Sequence, residues 1–208
     1  MSGVILLKDI PAPYPIFGLV SITLWQLFAN TLTLTTDSLL GAGGLLSKVK
    51  FPRIAVVLTA VGQSLVHFVT TTFLVVIAYI LYFRVPPWTV ILAPLYLVPI
   101  LLVGLGLGLI FTVLNVVIRD IKPMISLGVN FLLYLMPIMY IQPRDSLLGR
   151  VNMFNPLYYL IFTARELVLV GSITYPYQYL VAILISAVIF IGGLTFFYRT
   201  HQYVLERI

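Results

Sequence analysis

Side chains that could perform acid–base or metal chemistry are few in this sequence, and they are scattered. The 208 residues contain no cysteine, and His67 lies inside an apolar stretch with no second metal ligand at a suitable spacing. Asp120, Asp145 and Glu166 are too widely separated to indicate a carboxylate pair. The phosphate-binding loop of ATPases is also missing. A membrane-embedded transferase is therefore a weak hypothesis, and we expect a non-enzymatic chain that binds no metal or cofactor itself.

The basic residues concentrate in two short segments next to charge-free stretches. Lys48–Arg53 (KVKFPR) separates Ile10–Thr36 from Ile54–Phe83, and Arg119–Lys122 follows the next apolar stretch. A basic, proline-containing segment between apolar stretches is typical of a loop between membrane spans, and such loops tend to be cytoplasmic. Since the 12 Lys and Arg sit mostly at span ends, the net charge of +6 favours contact with lipid headgroups over nucleic acid.

The composition indicates an integral membrane protein. Hydrophobic residues make up 61% of the chain and charged residues 9%, whereas soluble domains carry about 25% charged residues. A helix needs about 20 mostly apolar residues to cross a membrane. Five stretches satisfy this length, and we predict spans at Tyr14–Thr36, Ile54–Tyr82, within Thr89–Ile118, Met124–Ile141 with an interruption at Pro137, and Tyr177–Tyr198.

A shorter apolar stretch, Asn152–Leu169, contains Asn155-Pro156 and the charged pair Arg165/Glu166. It is predicted to form short helices that dip into the membrane from one side, where protein or water must cover them. The predicted fold class is all-α: a polytopic membrane helical bundle of about five transmembrane helices plus short re-entrant outer helices.

The positive-inside rule gives the bundle an orientation. With Lys48–Arg53 inside, Arg84 and the region 142–176, including the Arg165 charge, lie outside, and the tail Arg199–Ile208 is cytoplasmic. Five spans then leave the N-terminus outside, which predicts either a translocated short N-terminus or a missing first span.

The spans carry uncharged polar and aromatic groups but no carboxylate or amine. Ion-coupled carriers usually place such charges inside the membrane, so we expect the energy for any transport to come from a partner. Many tyrosines crowd the outer half of the last two spans. They predict either an interfacial aromatic belt or a surface on which sugar rings stack. Gly104 and Gly108 form a small-xxx-small pair suited to close helix contact.

Four segments, in this order, resemble the permease subunits of type-2 ABC exporters. The closest branch exports polysaccharides and polyol phosphates such as O-antigen, capsule or teichoic acid. The segments are Lys48–Arg53, Gly104–Gly108 leading into Asn115–Asp120 (NVVIRD), Met136–Tyr140 (MPIMY) and Asn155–Leu157 (NPL). Met136-Pro137 stands where many members have Ser-Pro.

The resemblance implies a six-span permease that works as a homodimer with two cytoplasmic ATP-binding subunits, which use the ATP and Mg²⁺. Residues 1–208 would be a single type-2 ABC transporter transmembrane domain, truncated at the N-terminus, because the family's amphipathic N-terminal helix and first span have no counterpart. The resemblance further implies that Lys48–Arg53 lies near the ATPase and that Asn152–Gly171 holds short gate helices beside the pore exit.

The leading hypothesis is a pore-forming subunit that moves a lipid-linked polysaccharide or polyol phosphate across the cytoplasmic membrane, with two copies lining a channel between their first, second and fourth spans. Drug or lipid export by the same transporter class, and an ion-coupled carrier or channel, are the alternatives. The residues predicted to couple to the ATPase are Lys48, Lys50, Phe51, Pro52, Arg53, Arg119, Asp120 and Lys122. Those predicted to line the pore and contact the glycan are Trp25, Gln26, Asn30, Tyr134 and Tyr140. The predicted outer gate is Phe154, Asn155, Pro156, Tyr158 and Tyr159.

Overall fold

The computed structural model describes residues 12–42, 52–118, 120–138 and 147–200. Over these residues the regular secondary structure is helical, with seven α-helices and one short 3-10 helix. The α-helices are α1 Tyr14–Gly41, α2 Arg53–Leu81, α3 Ala93–Val117, α4 Ile121–Leu135, α5 Leu147–Asn152, α6 Pro156–Leu169 and α7 Pro176–Thr200; the 3-10 helix is Trp88–Leu92 and leads into α3.

Four of the described helices are long and apolar enough to cross a membrane: α1, α2, the 3-10 helix with α3, and α7. Their bounds agree with four of the predicted spans to within a few residues at most ends. The exception is the C-terminal end of α1, which continues past Thr36 to Gly41. Leu39, in this added turn, is 1% exposed, so the extension is held by packing. The all-α, polytopic membrane fold predicted from the sequence is confirmed.

The fourth predicted span forms a shorter helix than expected within the described residues. α4 has 15 residues, about 22 Å at 1.5 Å per residue, against roughly 30 Å of hydrocarbon. Met136 has an extended backbone, with φ −87° and ψ 139°, a conformation favoured by the proline that follows, which disfavours the helical region for the residue before it. Pro137 therefore ends α4, and residues 139–146 lie outside the described part.

One short helix, α6, occupies the segment Asn152–Leu169, for which short outer helices were predicted; α5 ends where that segment begins. α6 begins at Pro156, whose fixed φ suits the first helical position. The Asn155 side chain accepts a hydrogen bond of 3.0 Å from the Leu157 N–H, which satisfies a free donor of the first turn. Leu160 and Ala164 are fully buried, so α6 is part of the bundle's core.

α3 is the centre of the bundle, because glycines let it approach a neighbour on two opposite faces. A Cβ at Gly104 would lie 3.1 Å from the Phe28 carbonyl oxygen of α1, and one at Gly108 would collide with Thr35. A Cβ at Gly106 would lie 2.7 Å from the Ile189 carbonyl oxygen of α7. The close contact predicted for the Gly104/Gly108 pair is thus present against α1, and α7 packs on the other face.

α2 packs along α1 with one face and exposes the rest of its surface. Thr31 and Ser64 share a hydrogen bond of 3.0 Å between their hydroxyl groups, and both side chains are fully buried. Val66, Val69 and Phe73 are each about two-thirds exposed, so this face of α2 is uncovered in the single chain.

The α3–α7 contact can be tested with two adjacent glycines of α7. Gly193→Ala is expected to destabilise the protein by about 1–3 kcal/mol, because the added methyl would meet the backbone of Gly106. Gly192→Ala is the matched control, since no atom lies within 4 Å of a Cβ built there. Unfolding by SDS in mixed micelles measures both. Equal stability of the two variants would contradict the proposed contact.

Candidate functional site

The C-terminal ends of α1, α3 and α7 and the N-terminal end of α2 meet at one end of the bundle. A small apolar cluster joins them through Leu39, Val57, Val116 and Phe197. Arg53, Lys122 and Arg199 begin or end helices here, so we name it the basic end. Both predicted basic segments adjoin this end.

The predicted coupling residues are only partly within the described chain. Pro52, Asp120 and Lys122 are exposed and Arg53 is half-buried. Lys48, Lys50, Phe51 and Arg119 lie outside the described residues, so the structure does not test their placement or an Arg119–Asp120 ion pair.

Asn115 joins three helices at the basic end, a role that the sequence analysis did not assign. The side chain is fully buried. Its Nδ2 donates to the Thr36 carbonyl of α1 at 3.2 Å, and its Oδ1 accepts from the Lys122 N–H of α4 at 3.1 Å. The sequence did carry a signal for this role: an isolated asparagine near the end of an apolar span must find hydrogen-bond partners if it is buried, and these can lie on neighbouring helices.

The Lys122 side chain makes a second link between α4 and α1. Its Nζ lies 2.8 Å from Asp37 Oδ2, and the two side chains are 54% and 35% exposed. Exposed ion pairs contribute roughly 0–1 kcal/mol. The pair therefore adds little to the stability of the fold. Its main effect is to fix the position of the first turn of α4 against α1.

Three uncharged polar side chains and one carboxylate form a lengthwise band on α1. We call Gln26, Asn30, Thr33 and Asp37 the α1 polar stripe; their spacing of three or four residues puts them on one helix face, and all four are half-buried. This places two of the predicted pore residues, Gln26 and Asn30, together.

The other predicted pore residues do not join this stripe. Trp25 is 3% exposed and packs against Phe28 with ring centroids 5.5 Å apart, so its burial gives no support to glycan contact. Tyr134 of α4 is 77% exposed, and Tyr140 lies outside the described residues.

α2 carries a similar band that the sequence analysis missed. Thr59, Gln63, His67 and Thr70, the α2 polar stripe, recur at helical spacing, and all are exposed. The recurrence of polar residues every three or four positions in an otherwise apolar span was the signal.

Arg165, which the sequence analysis counted only as a charge of the outer side, is 6% exposed inside the bundle. Its Nη1 donates to the carbonyls of Pro137 at 3.2 Å and Ile138 at 3.4 Å. The guanidinium also lies over the Phe17 ring, 4.5 Å from the centroid, and 5.1 Å from that of Phe162. Arg165 follows Leu157 and Ile161 at intervals of four, so the apolar periodicity of α6 places it on the buried face.

The short outer helices hold the broken end of α4. Pro137 interrupts the helix, so the carbonyls of Leu135, Pro137 and Ile138 have no following helical turn whose N–H groups could donate hydrogen bonds to them. Asn152 Nδ2 donates to the Leu135 carbonyl at 3.0 Å, and Arg165 takes the other two. A free backbone carbonyl in hydrocarbon is costly, so these two side chains stabilise the interruption. We name this arrangement the Pro137 clamp.

The C-terminal end of α6 is fixed by the turn between α2 and α3. Tyr79 Oη donates to the Val168 carbonyl at 2.9 Å, and Thr89 Oγ1 donates to the Leu167 carbonyl. Gly171, with φ +82°, packs against Pro87; L side chains rarely adopt this conformation, which explains the glycine. Glu166, the second predicted outer charge of α6, accepts from the Thr174 N–H at 3.0 Å and orders the turn before α7.

Four of the predicted gate residues surround or border an aromatic groove. Tyr158 and Tyr159 have ring centroids 5.2 Å apart, and Tyr159 also packs edge-on against Tyr175 of the α6–α7 turn. A cavity of about 170 Å³ lies among Asn152, Tyr158, Tyr159, Tyr175 and Gln178. Pro156 and Asn155 start α6 beside it, whereas Phe154 is 90% exposed.

Removal of the buried cation tests the Pro137 clamp. Arg165→Met keeps the side-chain length but leaves two carbonyls without a charged donor, so we expect a loss of roughly 2 kcal/mol in unfolding free energy. Arg150→Met is the control, because Arg150 is exposed in α5. Unfolding by SDS compares the two variants, and equal stability would show that the guanidinium does not hold the interruption.

No protein-family model matches the sequence. Curated proteins do match. An O-antigen export system permease protein RfbA from Klebsiella pneumoniae is 29% identical over 170 residues, which cover 79% of this chain and 64% of that protein. A second from the same species is 27% identical over the same coverage. One from Myxococcus xanthus is 26% identical over 137 residues, 66% of this chain and 52% of that protein.

This chain thus spans about 64% of the length of the first relatives it matches. The relatives are permeases and the described chain has four helices that can cross a membrane, so the protein is a multi-pass membrane protein. The resemblance to the permeases of type-2 ABC exporters, in the O-antigen export branch, is confirmed over about four-fifths of the chain.

Proposed function

We propose that this chain is the transmembrane, pore-forming subunit of an ATP-driven exporter that moves a lipid-linked polysaccharide or polyol phosphate across the cytoplasmic membrane. The observation that carries the proposal is the pair of polar stripes on α1 and α2. The stripe threonines bond to carbonyls of their own helices. The larger polar side chains, Gln26 and Asn30 on α1 and Gln63 and His67 on α2, are unfavourable against lipid tails and need cover from protein or from a water-filled path.

A homodimer would supply that cover. The α1 polar stripe lies on the flank of α1 that Lys122 of α4 reaches at Asp37, so α4 borders it. The α2 polar stripe lies on a different face of α2 from Val75 and Tyr79, which pack into the core. Two copies facing each other would enclose a channel between α1, α2 and α4. Amide and hydroxyl groups suit a glycan, which is recognised by hydrogen bonds and stacking without a countercharge.

The basic end would receive the force from ATP hydrolysis by a separate cytoplasmic subunit, which places the C-terminus in the cytoplasm. Lys48–Arg53 leads directly into α2, and Arg119–Lys122 leads into α4. Asn115 and the Asp37–Lys122 pair connect the start of α4 to α1. A push on either segment would therefore move helices that border the proposed channel. In this proposal ATP and Mg²⁺ act in the partner, and this chain holds neither.

The opposite end would be the exit. Tyr158, Tyr159 and Tyr175 form an aromatic groove whose rings suit stacking against sugars. The Pro137 clamp connects this groove to α4, because Asn152 lines the groove and also holds the Leu135 carbonyl. Movement of α4 would thus reach the gate helices α5 and α6 directly.

Export assays with stripe variants test the channel. Asn30→Leu and Gln63→Leu remove polar groups that would contact the glycan, so we expect surface polysaccharide to fall strongly while protein levels hold. Thr195→Leu, on the exposed face of α7, is the control. If the stripes faced lipid, a leucine would fit at least as well and export would be unchanged, which would contradict the channel. Export of a small drug in place of a glycan would support the alternative substrate class.

Charge reversal at the basic end tests coupling to the ATPase. Arg53→Glu is expected to abolish ATP-dependent export with the fold retained, because it inverts the charge where α2 begins. Arg150→Glu applies the same change in α5, near the opposite end. Co-purification of the ATP-binding subunit and its hydrolysis rate, measured for both variants, locate the defect. Normal export by Arg53→Glu would exclude the coupling role.

A further inference from the structure

A second cavity lies on the membrane-facing flank of the bundle, apart from the polar stripes. It has a volume of about 280 Å³ and opens between α1, α2 and the start of α3. Its walls are almost entirely apolar, with Val20 and Leu24 on one side, Phe68 and Val75 along α2, and Ala93 and Leu97 on α3. We name it the α2–α3 cleft. A pocket of this kind is close to the lower end of the ligand-site range, roughly 300–1,000 Å³.

The cleft is mostly apolar along its length, although Thr23 and Thr72 also line it and the Thr72 hydroxyl is buried without a partner among the described residues. One end is basic. Arg84, which follows α2, lines that end together with Pro86. The Arg84 side chain is exposed, and no carboxylate among the described residues pairs with it. An arginine at the end of a span lies at the headgroup level of a bilayer. The mouth of the cleft therefore offers an unneutralised guanidinium at the depth of lipid phosphates.

Tyr96 adds a second polar atom that points to a ligand. It lies in the first turn of α3, is 3% exposed and lines the cleft. Its hydroxyl is buried and has no hydrogen-bond partner within the described residues. A buried hydroxyl without a partner is costly, and an acceptor from a bound molecule would satisfy it.

The length of the cleft matches one leaflet. The α2 residues that line it run from Phe68 to Ile80, about 18 Å at 1.5 Å per residue. One leaflet contributes about 15 Å of hydrocarbon. Val76 and Ile80 line the cleft and are also 47% and 67% exposed, so it can be entered sideways from the lipid.

We propose that the α2–α3 cleft binds a glycerophospholipid, with one acyl chain along α2, an ester carbonyl accepting a hydrogen bond from Tyr96, and the phosphate bound by Arg84. Arginine binds phosphate through charge-assisted, often bidentate hydrogen bonds. A polyprenyl phosphate would also satisfy Arg84, but it has no ester carbonyl for the Tyr96 hydroxyl. The phospholipid is therefore the occupant that accounts for both polar groups.

This site is separate from the proposed channel. At 100° per residue, Val20 and Leu24 lie about 80–160° around α1 from Gln26 and Asn30. The occupant would act as a structural lipid that fills the space between α2 and α3, and its binding does not depend on the transport proposal.

Photo-crosslinking of the full chain in vesicles tests the proposal. The probe is a phosphatidylglycerol with a diazirine in one acyl chain, diluted into phosphatidylcholine, and peptide mass spectrometry locates the adducts. We expect adducts on Phe68–Ile80 and on Ala93–Leu97. Val76→Phe and Ala93→Phe both narrow the cleft, and each is expected to lower crosslinking there about fivefold or more. Val69→Phe is the control, because Val69 is exposed on α2 and does not line the cleft.

The two polar groups are tested separately. Tyr96→Phe should lower crosslinking of the ester-linked lipid in the cleft by about fivefold. The same variant should leave crosslinking of an ether-linked analogue unchanged. Arg84→Gln should weaken both lipids, whereas Arg150→Gln should weaken neither. Adducts spread evenly over the exposed face of α2, or unchanged by both cleft-narrowing variants, would overturn the site. Stronger competition by a polyprenyl phosphate than by unlabelled phosphatidylglycerol would overturn the assignment of the occupant.

Discussion

The hydrocarbon interior of a membrane offers no hydrogen-bond partner, and this constraint explains most of the polar contacts in the bundle. Several buried hydroxyl groups bond within their own helices, as Ser21 does to the Phe17 carbonyl at 2.7 Å and Thr36 to the Leu32 carbonyl at 2.7 Å. Where a helix is broken, a side chain must replace the lost backbone bonds. Arg165 and Asn152 do so at Pro137, which ties the position of α4 to that of the short outer helices.

α1 connects the two ends of the molecule. Near its N-terminal end, Phe17 and Ser21 contact Arg165 of the Pro137 clamp. At its other end, the Thr36 carbonyl and the Asp37 carboxylate hold Asn115 and Lys122. Ser21 and Thr36 are about 22 Å apart along a continuous helix. A displacement of α1 at the basic end would therefore reach the clamp without passing through a flexible segment.

The sequence predicted the spans well because exclusion of charge from hydrocarbon is a one-dimensional signal. Lys48–Arg53 and Arg119–Lys122 marked helix boundaries for that reason. The partner of a polar group is a three-dimensional property, and there the predictions were incomplete: Asp37 was not recognised as the partner of Lys122, and the burial of Arg165 against the Pro137 and Ile138 carbonyls was not foreseen. Trp25 was grouped with Gln26 by adjacency, although neighbouring residues lie 100° apart on a helix. The helical spacing of Gln63 and His67, by contrast, was readable from the sequence.

The distribution of close contacts sets α4 apart from the other long helices. Glycine contacts bring α1, α3 and α7 to backbone distance, and small-residue packing is what holds helices together where lipid replaces water. α2 packs on α1 through the buried Thr31–Ser64 pair. α4 lacks such a contact: no atom lies within 4 Å of a Cβ built at Gly128, and Val129 is its buried residue. Because α4 follows a basic segment and borders the α1 polar stripe at Asp37, the helix most easily displaced is one that would have to move to open a path along α1.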